Sequence, residues 1–409
     1  MNYKWIIGCY LCTALVLYLL RMNNFSLNRH ANEIKDDNSP HVPLSADANE
    51  LEDGNVTVVS LIDNGNKIKS GLSKLCNNTK RCSAFTEGRN FSFVHITKCA
   101  GASWVRDFKF LVGEKYFNPK GNMEGAEYTV SKAFQNYPND IQLISIKSPR
   151  HHVWSLFSQC KYGWFGQKLT LNTQFPRSGD SPESDVTDFS KWLDYFVEQQ
   201  EKGPPEGAKE FNCYHPSNFQ TRFMTAGIHG RPQSLLKIPG QTDMYNPPFH
   251  TANINYWRED WVGLTEFYHE SKCMFCYRVI LDKKKKQTKR SQDAIREAQS
   301  YIDTFCHCPL KSVGDEHAVH HKLGHRSQMR NLSPKILDKV KILTQVDTEM
   351  YVVALFQFLK EIVWLESSLG LDRDVLCSAS LQKIEPELNY LGYNISRIFY
   401  EIKDTGKYL

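Results

Sequence analysis

The sequence predicts an α/β fold in which a mainly parallel sheet is flanked by helices, and three observations lead there. Two short β-rich runs, FSFVHI at 91–96 and IQLISI at 141–146, are the clearest strand candidates. Each is followed at once by a turn and a segment with helical spacing of apolar residues. The composition, with 41% hydrophobic, 23% charged and 12% aromatic residues, is that of a globular chain. It excludes a disordered, collagen-like or polytopic membrane protein. Strand, turn and helix in alternation imply parallel pairing, with a ligand expected at the carboxyl ends of the strands.

Taken in order, the 409 residues divide into a tail at 1–4, a membrane anchor at 5–20, a stem at 21–85 and a single large domain at 86–409. The anchor, WIIGCYLCTALVLYLL, has sixteen uncharged residues between Lys4 and Arg21. At about 1.5 Å per residue it spans roughly 24 Å, which suits the thinner bilayers of the early secretory pathway. The following RMNNFSLN lacks a small-x-small site, so an uncleaved anchor is expected rather than a signal peptide. The stem is rich in Asn, Asp, Ser and Lys, with Pro40, Pro43, Gly54, Gly65 and Gly71 as breakers.

Two of the 12 cysteines, Cys9 and Cys12, fall in the anchor, and the other ten lie beyond it. With Asn-x-Ser/Thr sequons at Asn55, Asn77, Asn90, Asn331 and Asn394, that even number fits an oxidising, glycosylating lumen. A single-span type II protein follows, its domain luminal. Spacing leaves the disulfide connectivity open, although Cys306 and Cys308 are too close to pair readily with each other.

The first helix is read from Trp104, Val105, Phe108 and Leu111, and the second from Val153, Leu156 and Phe157. Further on, DFSKWLDYFVEQQ, SKCMFCYRVILD and the long run from Pro334 to Glu366 are helical or core-forming, and no repeat is present. The net charge of +5 does not call for nucleic acid, but it permits an anionic ligand at a local basic site. The basic run at 282–290, DKKKKQTKR, is read first as a solvated loop and second as a polyanion-binding patch.

The chemistry concentrates in the first turn. Thr97, Lys98, Cys99, Ala100, Gly101, Ala102 and Ser103 would present backbone N–H groups at a helix N-terminus, where an anion is favoured, with Lys98 beside it. No GxxxxGK[ST] is present, which disfavours a P-loop kinase or GTPase. The stretch FVHITKCAGASW resembles the 5′-phosphosulfate-binding loop of the carbohydrate sulfotransferases, H-I-x-K-T-G-G-T-S/T, with Cys99 where Thr is usual. A second segment, KSPRHHVWS at 147–155, is similar to the family's 3′-phosphate motif, R-[ND]-P-x-x-x-x-x-S.

Anchored on Pro149, that motif places Lys147 and Ser155 at the phosphate positions; Lys keeps the charge of Arg but loses its bidentate fork. Arg150 and Ser158 show the same eight-residue spacing and are also phosphate candidates. The resemblance extends to NFQTRF at 218–223, to VGLTE at 262–266 and to the late helical run, and so covers roughly 90–365 in the family's order.

The resemblance implies a P-loop-like sulfotransferase fold in the Golgi membrane. The activity would be transfer of a sulfonyl group from 3′-phosphoadenosine 5′-phosphosulfate (PAPS) to a hydroxyl of a glycan. Residues 98–104, from Lys98 to Trp104, together with Lys147, Arg150, Ser155 and Ser158, would bind the nucleotide, and Lys98 would also neutralise the leaving oxygen. A metal is dispensable on this reading, because a sulfonyl group carries less charge than a phosphoryl group. Related enzymes place a Glu or His base between the two phosphate motifs, which leaves Glu127 and Glu124 as candidates here.

His317, His320, His321 and His325 near Cys306 and Cys308 do not match a standard zinc spacing. A loop closing over the nucleotide with Lys322 and Arg326 suits the resemblance better. The acceptor is a glycan, anionic if the basic run contacts it, with neutral galactose also open. Two rival readings are a catalytically silent glycan-binding protein of the same fold and a luminal glycosyltransferase using Asp372 and Asp374.

Overall fold

The first strand, β1 (Phe91–Val94), is buried along its whole length, and so are β3 (Ile141–Ile146) and β4 (Trp261–Leu264). That explains the near-continuous apolar character of these runs, since a strand covered on both faces has no solvent side to alternate toward. The structure is a computed structural model. It describes residues 85, 89–118, 130–171, 173–202, 213–225, 245–280, 289–308, 332–369 and 374–405, all within the unit Ile62–Leu409.

The sheet is small and wholly parallel, in the order β2-β1-β3-β4, with β2 reduced to Phe117–Asn118. Phe91 to Val94 pair with Ile141 to Ile144, and Leu143 to Ile146 pair with Trp261 to Leu264. The expected α/β class therefore holds in its coarse form, with helices dominating the described residues. After β1 the chain moves to one side to form β2, then crosses back to lay β3 on the other side. The adjacent β1 and β3 thus bound the topological switch point, where open parallel sheets bind ligands.

Helix α1 (Gly101–Val112) follows β1 and buries Trp104, Val105, Phe108, Leu111 and Val112. It ends at Gly113, whose φ of 85° suits a residue without Cβ. Trp104, Phe108, Trp261 and Phe275 pack ring against ring at centroid separations of 4.8–5.9 Å, forming the centre of the core. A small polar cluster enters this region: Asp107 accepts from Lys272 Nζ at 2.7 Å and from the Tyr268 hydroxyl at 3.0 Å. Phe85, which the sequence reading leaves in the stem, packs on Phe91 and Phe275 and belongs to the core.

Past α2 (Val130–Asn136), β3 leads into α3 (Pro149–Tyr162), which starts as its sequence suggests. Pro149 occupies the first turn, and the Ser148 side chain accepts the His151 amide as N-cap. A short helix α4 (Trp164–Thr170) follows, then α5 (Pro182–Lys202). Lys161 of α3 is buried between Asp185 and Asp188 of α5 at 2.7 Å from each.

Next come α6 (Phe219–Thr225) and α7 (Phe249–Arg258), then β4, α8 (Tyr268–Ile280) and α9 (Lys289–Phe305). The late apolar run forms two helices, α10 (Pro334–Leu343) and α11 (Gln345–Leu369), separated at Thr344. Two more, α12 (Ser378–Tyr390) and α13 (Ile395–Thr405), close the described chain.

Three disulfides join Cys160 to Cys213, Cys273 to Cys306, and Cys308 to Cys377. Cys306 and Cys308 thus take separate partners, while Cys99 and Cys276 are buried free thiols. Among the described residues no helix is long and apolar enough to cross a membrane. The anchor at 5–20 lies outside them, as do Cys76, Cys82, the stem apart from Phe85, and the histidine group.

Candidate functional site

The turn between β1 and α1 carries two non-glycine residues in the left-handed region, Lys98 at φ 67° and Ala100 at φ 59°. Each such residue costs on the order of 1–3 kcal/mol unless its surroundings impose the conformation. Here they do. The Cys99 amide donates to Ile96 O at 3.1 Å, and the Ser145 hydroxyl of β3 donates to Cys99 O. From α3, His152 Nε2 lies 2.8 Å from Thr97 O, and from α6 the Gln220 side-chain oxygen accepts the Cys99 thiol at 3.3 Å.

Burial drives His152 down to about 3, so it is a neutral donor to the turn and not a base. Burial likewise pushes the Cys99 thiol well above its usual value, which removes it as a nucleophile.

No side chain caps α1, and its first intrahelical bond runs from the Trp104 amide to Ala100 O at 3.0 Å. The amides of Gly101, Ala102 and Ser103 therefore precede the hydrogen-bond ladder. Gly101 is required by space, since a Cβ there would stand 1.8 Å from the His95 ring. Trp104 has its ring fully buried in the aromatic core, with Tyr268 at 3.9 Å. It secures the helix but does not line the turn.

Two lysines leave the carboxyl ends of the two strands at the switch point. Lys98 Nζ donates to Gln159 Oε1 of α3 at 3.1 Å. Burial first, and then the neighbouring Lys147 charge, lower its pKa to about 8. Lys147 Nζ donates to Ser155 Oγ at 2.7 Å, so the eight-residue spacing of the second motif closes into a real contact. Burial lowers the Lys147 pKa too, against an opposing pull from Glu266. The Lys147 charge acts on Lys98, and both ammonium groups lie on the same side of the sheet as the uncapped α1 amides, a chemistry that suits an anion.

The other predicted phosphate ligands point elsewhere. Arg150 pairs with Glu387 Oε2 of α12 at 2.9 Å and lies 4.4 Å over the Tyr390 ring. Ser158 is buried and donates back to Trp154 O at 2.8 Å, a bond within its own helix of the kind Ser155 also makes to His151 O at 2.7 Å. Glu124 and Glu127, the candidate bases, lie outside the described residues, as do Lys322, Arg326 and Asp372. Asp374 accepts Lys403 Nζ at 2.6 Å. No group of three His, Cys, Asp or Glu among the described residues could hold a metal ion.

The later motif segments act as scaffolding. Gln220 of the NFQTR stretch accepts the Lys147 amide at 2.9 Å and donates to the Lys147 carbonyl at 2.8 Å. Asn218 Oδ1 accepts the amides of Val346 and Asp347, and Asp347 in turn accepts the Thr221 amide and hydroxyl at 2.7 Å. Buried Arg222 donates to the carbonyls of Ser217 and His215.

Glu266, from the GLTE stretch, accepts the Ser148 amide at 2.9 Å and the Tyr351 hydroxyl at 3.3 Å. Gln159 and Glu387 are site neighbours that no sequence motif marks. Comparison of the chain with protein-family profiles, with characterised proteins and with solved structures yields no match.

Proposed function

We propose that the protein is a PAPS-dependent carbohydrate sulfotransferase of the Golgi lumen. The observation that carries the reading is the convergence of Lys98 and Lys147 at the carboxyl ends of β1 and β3, the two strands flanking the switch point. PAPS supplies an activated sulfonyl group and two anionic positions. In this reading the amides of Gly101 to Ser103 and Lys98 bind the 5′-phosphosulfate. Lys147 and Ser155 bind the 3′-phosphate.

The acceptor hydroxyl oxygen forms a bond to sulfur as the bond from sulfur to the bridging oxygen breaks, and that oxygen leaves on 3′-phosphoadenosine 5′-phosphate (PAP). Negative charge grows on the bridging oxygen, where Lys98 donates a hydrogen bond. With a pKa near 8, Lys98 carries its proton at neutral pH and can serve this role. The hydroxyl proton passes to a carboxylate, for which Glu127 and Glu124 are the candidates. The three disulfides accord with an oxidising compartment.

Incubation of the full chain with sulfur-35-labelled PAPS and a panel of defined glycans tests the reading. Label should move to a glycan and be lost with Lys98→Ala. Wild-type chain that binds PAP but labels no glycan would point to the catalytically silent alternative.

A further inference from the structure

Helix α4 stands out as an unusual piece of surface. Trp164 is 77% exposed, Phe165 46% and Leu171 76%, all on one short helix and its exit. Trp164, Lys168 and Leu171 recur at i, i+4 and i+7, hence on one face. Lys168 Nζ lies 5.7 Å from the centre of the Trp164 ring.

The exposure is built in, because the helix is held tightly from behind. A Cβ on Gly166 would meet Gln159 O at 2.1 Å and Cys160 Cα at 2.6 Å, so the α4 backbone lies directly against α3. Thr170 Oγ1 donates to Gly166 O at 2.8 Å, Arg177 braces the Cys160 carbonyl at 3.2 Å, and Cys160 is disulfide-bonded to Cys213.

The position matters as much as the exposure. Gln159, whose Oε1 accepts Lys98 Nζ, has its amide nitrogen 1.9 Å from where a Cβ on Gly163 would stand. Trp164 is the next residue. The aromatic face therefore begins next to Gly163, whose backbone adjoins the Gln159 side chain that holds Lys98.

We propose that α4 is the acceptor platform: Trp164 stacks on the apolar face of a sugar ring, Phe165 extends the apolar edge on the adjoining side of the helix, and Lys168 holds a carboxylate or sulfate on that glycan. Resting on the sulfotransferase reading, this names the substrate surface of the same site. Stacking suits a residue with a broad ring, and a flanking cation selects acidic saccharides. A second copy of the chain is a poorer occupant. Three side chains offering at most about 250 Å² each fall short of the roughly 800 Å² per partner of a stable interface.

The test uses the full chain in detergent, with binding measured calorimetrically for PAP, a chondroitin hexasaccharide and a neutral N-acetyllactosamine hexasaccharide. Trp164→Ala should weaken at least one sugar tenfold or more and leave PAP affinity within twofold, which also reports that the variant is folded. Phe165→Ala should act in the same direction, and Lys168→Gln should weaken chondroitin alone.

Sugar binding unchanged in both aromatic variants would overturn the platform. So would failure of the wild type to bind either sugar, or a dimer that Trp164→Ala dissociates without changing sugar affinity. Wild type that binds sugar through Trp164 but does not bind PAP would overturn the sulfotransferase reading and leave α4 as a glycan-binding surface.

Discussion

Gln220 clamps the peptide group of Lys147 at two points, its side-chain oxygen accepting the Lys147 amide at 2.9 Å and its nitrogen donating to the Lys147 carbonyl at 2.8 Å. The same oxygen takes the Cys99 thiol, so one buried amide ties the exits of β1 and β3 together. Gln220→Leu removes these partners and leaves buried backbone groups unpaired. It should cost about 2–4 kcal/mol in chemical unfolding and weaken PAP binding through a displaced Lys147. Stability within 0.5 kcal/mol of wild type would contradict the clamp.

Lys98 gives the site a defined pH dependence. Its folded pKa of about 8 lies below the unfolded value, so the unfolded chain binds the proton more tightly through the window above pH 8. Stability from this group therefore rises with pH between about 8 and 10.4, and is at its poorest below pH 8. An anion reverses the preference, because it binds the protonated amine. PAP affinity should be flat from pH 7 to 8, then fall by up to about tenfold per unit above it. Proton uptake should accompany binding near pH 8. Calorimetry in buffers of different ionisation enthalpy measures both, and affinity independent of pH up to 9.5 would exclude Lys98 as a ligand.

Replacing that amine separates function from folding. Lys98→Met should raise the melting temperature of the ligand-free chain at pH 7 while reducing the shift that PAP produces. A variant that melts earlier than wild type would mean that Lys98 is a structural residue.

Much of this arrangement is legible in the sequence, but unevenly. FSFV and IQLISI read as strands because short apolar runs ending in small or helix-capping residues have few other solutions. The motif spacing that marks Lys147 and Ser155 as phosphate positions also brings their side chains together, a contact the sequence does not predict. WVGL at 261–264 is harder, since four residues without alternation carry no period, and its place as a strand depends on pairing with β3.

Gln159 and Glu387 have no local signature at all. They meet Lys98 and Ser148 across 61 and 239 residues, and only the tertiary fold creates those contacts. Arg150 shows the opposite failure, because its spacing suggests a phosphate ligand while α12 supplies a carboxylate that takes the charge.

The Arg150 and Glu387 pair is nearly buried and should behave as a structural link. Glu387→Ala strands the guanidinium on the Tyr390 ring and removes the acceptor of Ser148, at a cost of about 3–5 kcal/mol. The double variant Arg150→Met/Glu387→Leu should cost less than Glu387→Ala alone. Unfolding curves decide this, and additive losses would show that the two residues are not coupled.

Cysteine chemistry checks the compartment and the fold together. Peptide mapping under non-reducing conditions should recover Cys160–Cys213, Cys273–Cys306 and Cys308–Cys377. Cys99 and Cys276 should react with iodoacetamide only after denaturation, since both are buried and their thiols are held well above the usual pKa. Rapid labelling of Cys99 in the native chain would contradict the turn described here.

The central claim is that Lys98 and Lys147 form one polyanion site at the sheet's switch point. Titration of PAP into the full chain at pH 7, for wild type, Lys98→Ala and Lys147→Ala, tests it most directly. One site per chain is predicted, with affinity lowered about ten- to hundredfold by each substitution. Absence of PAP binding by the wild type, or equal binding by all three proteins, would contradict it.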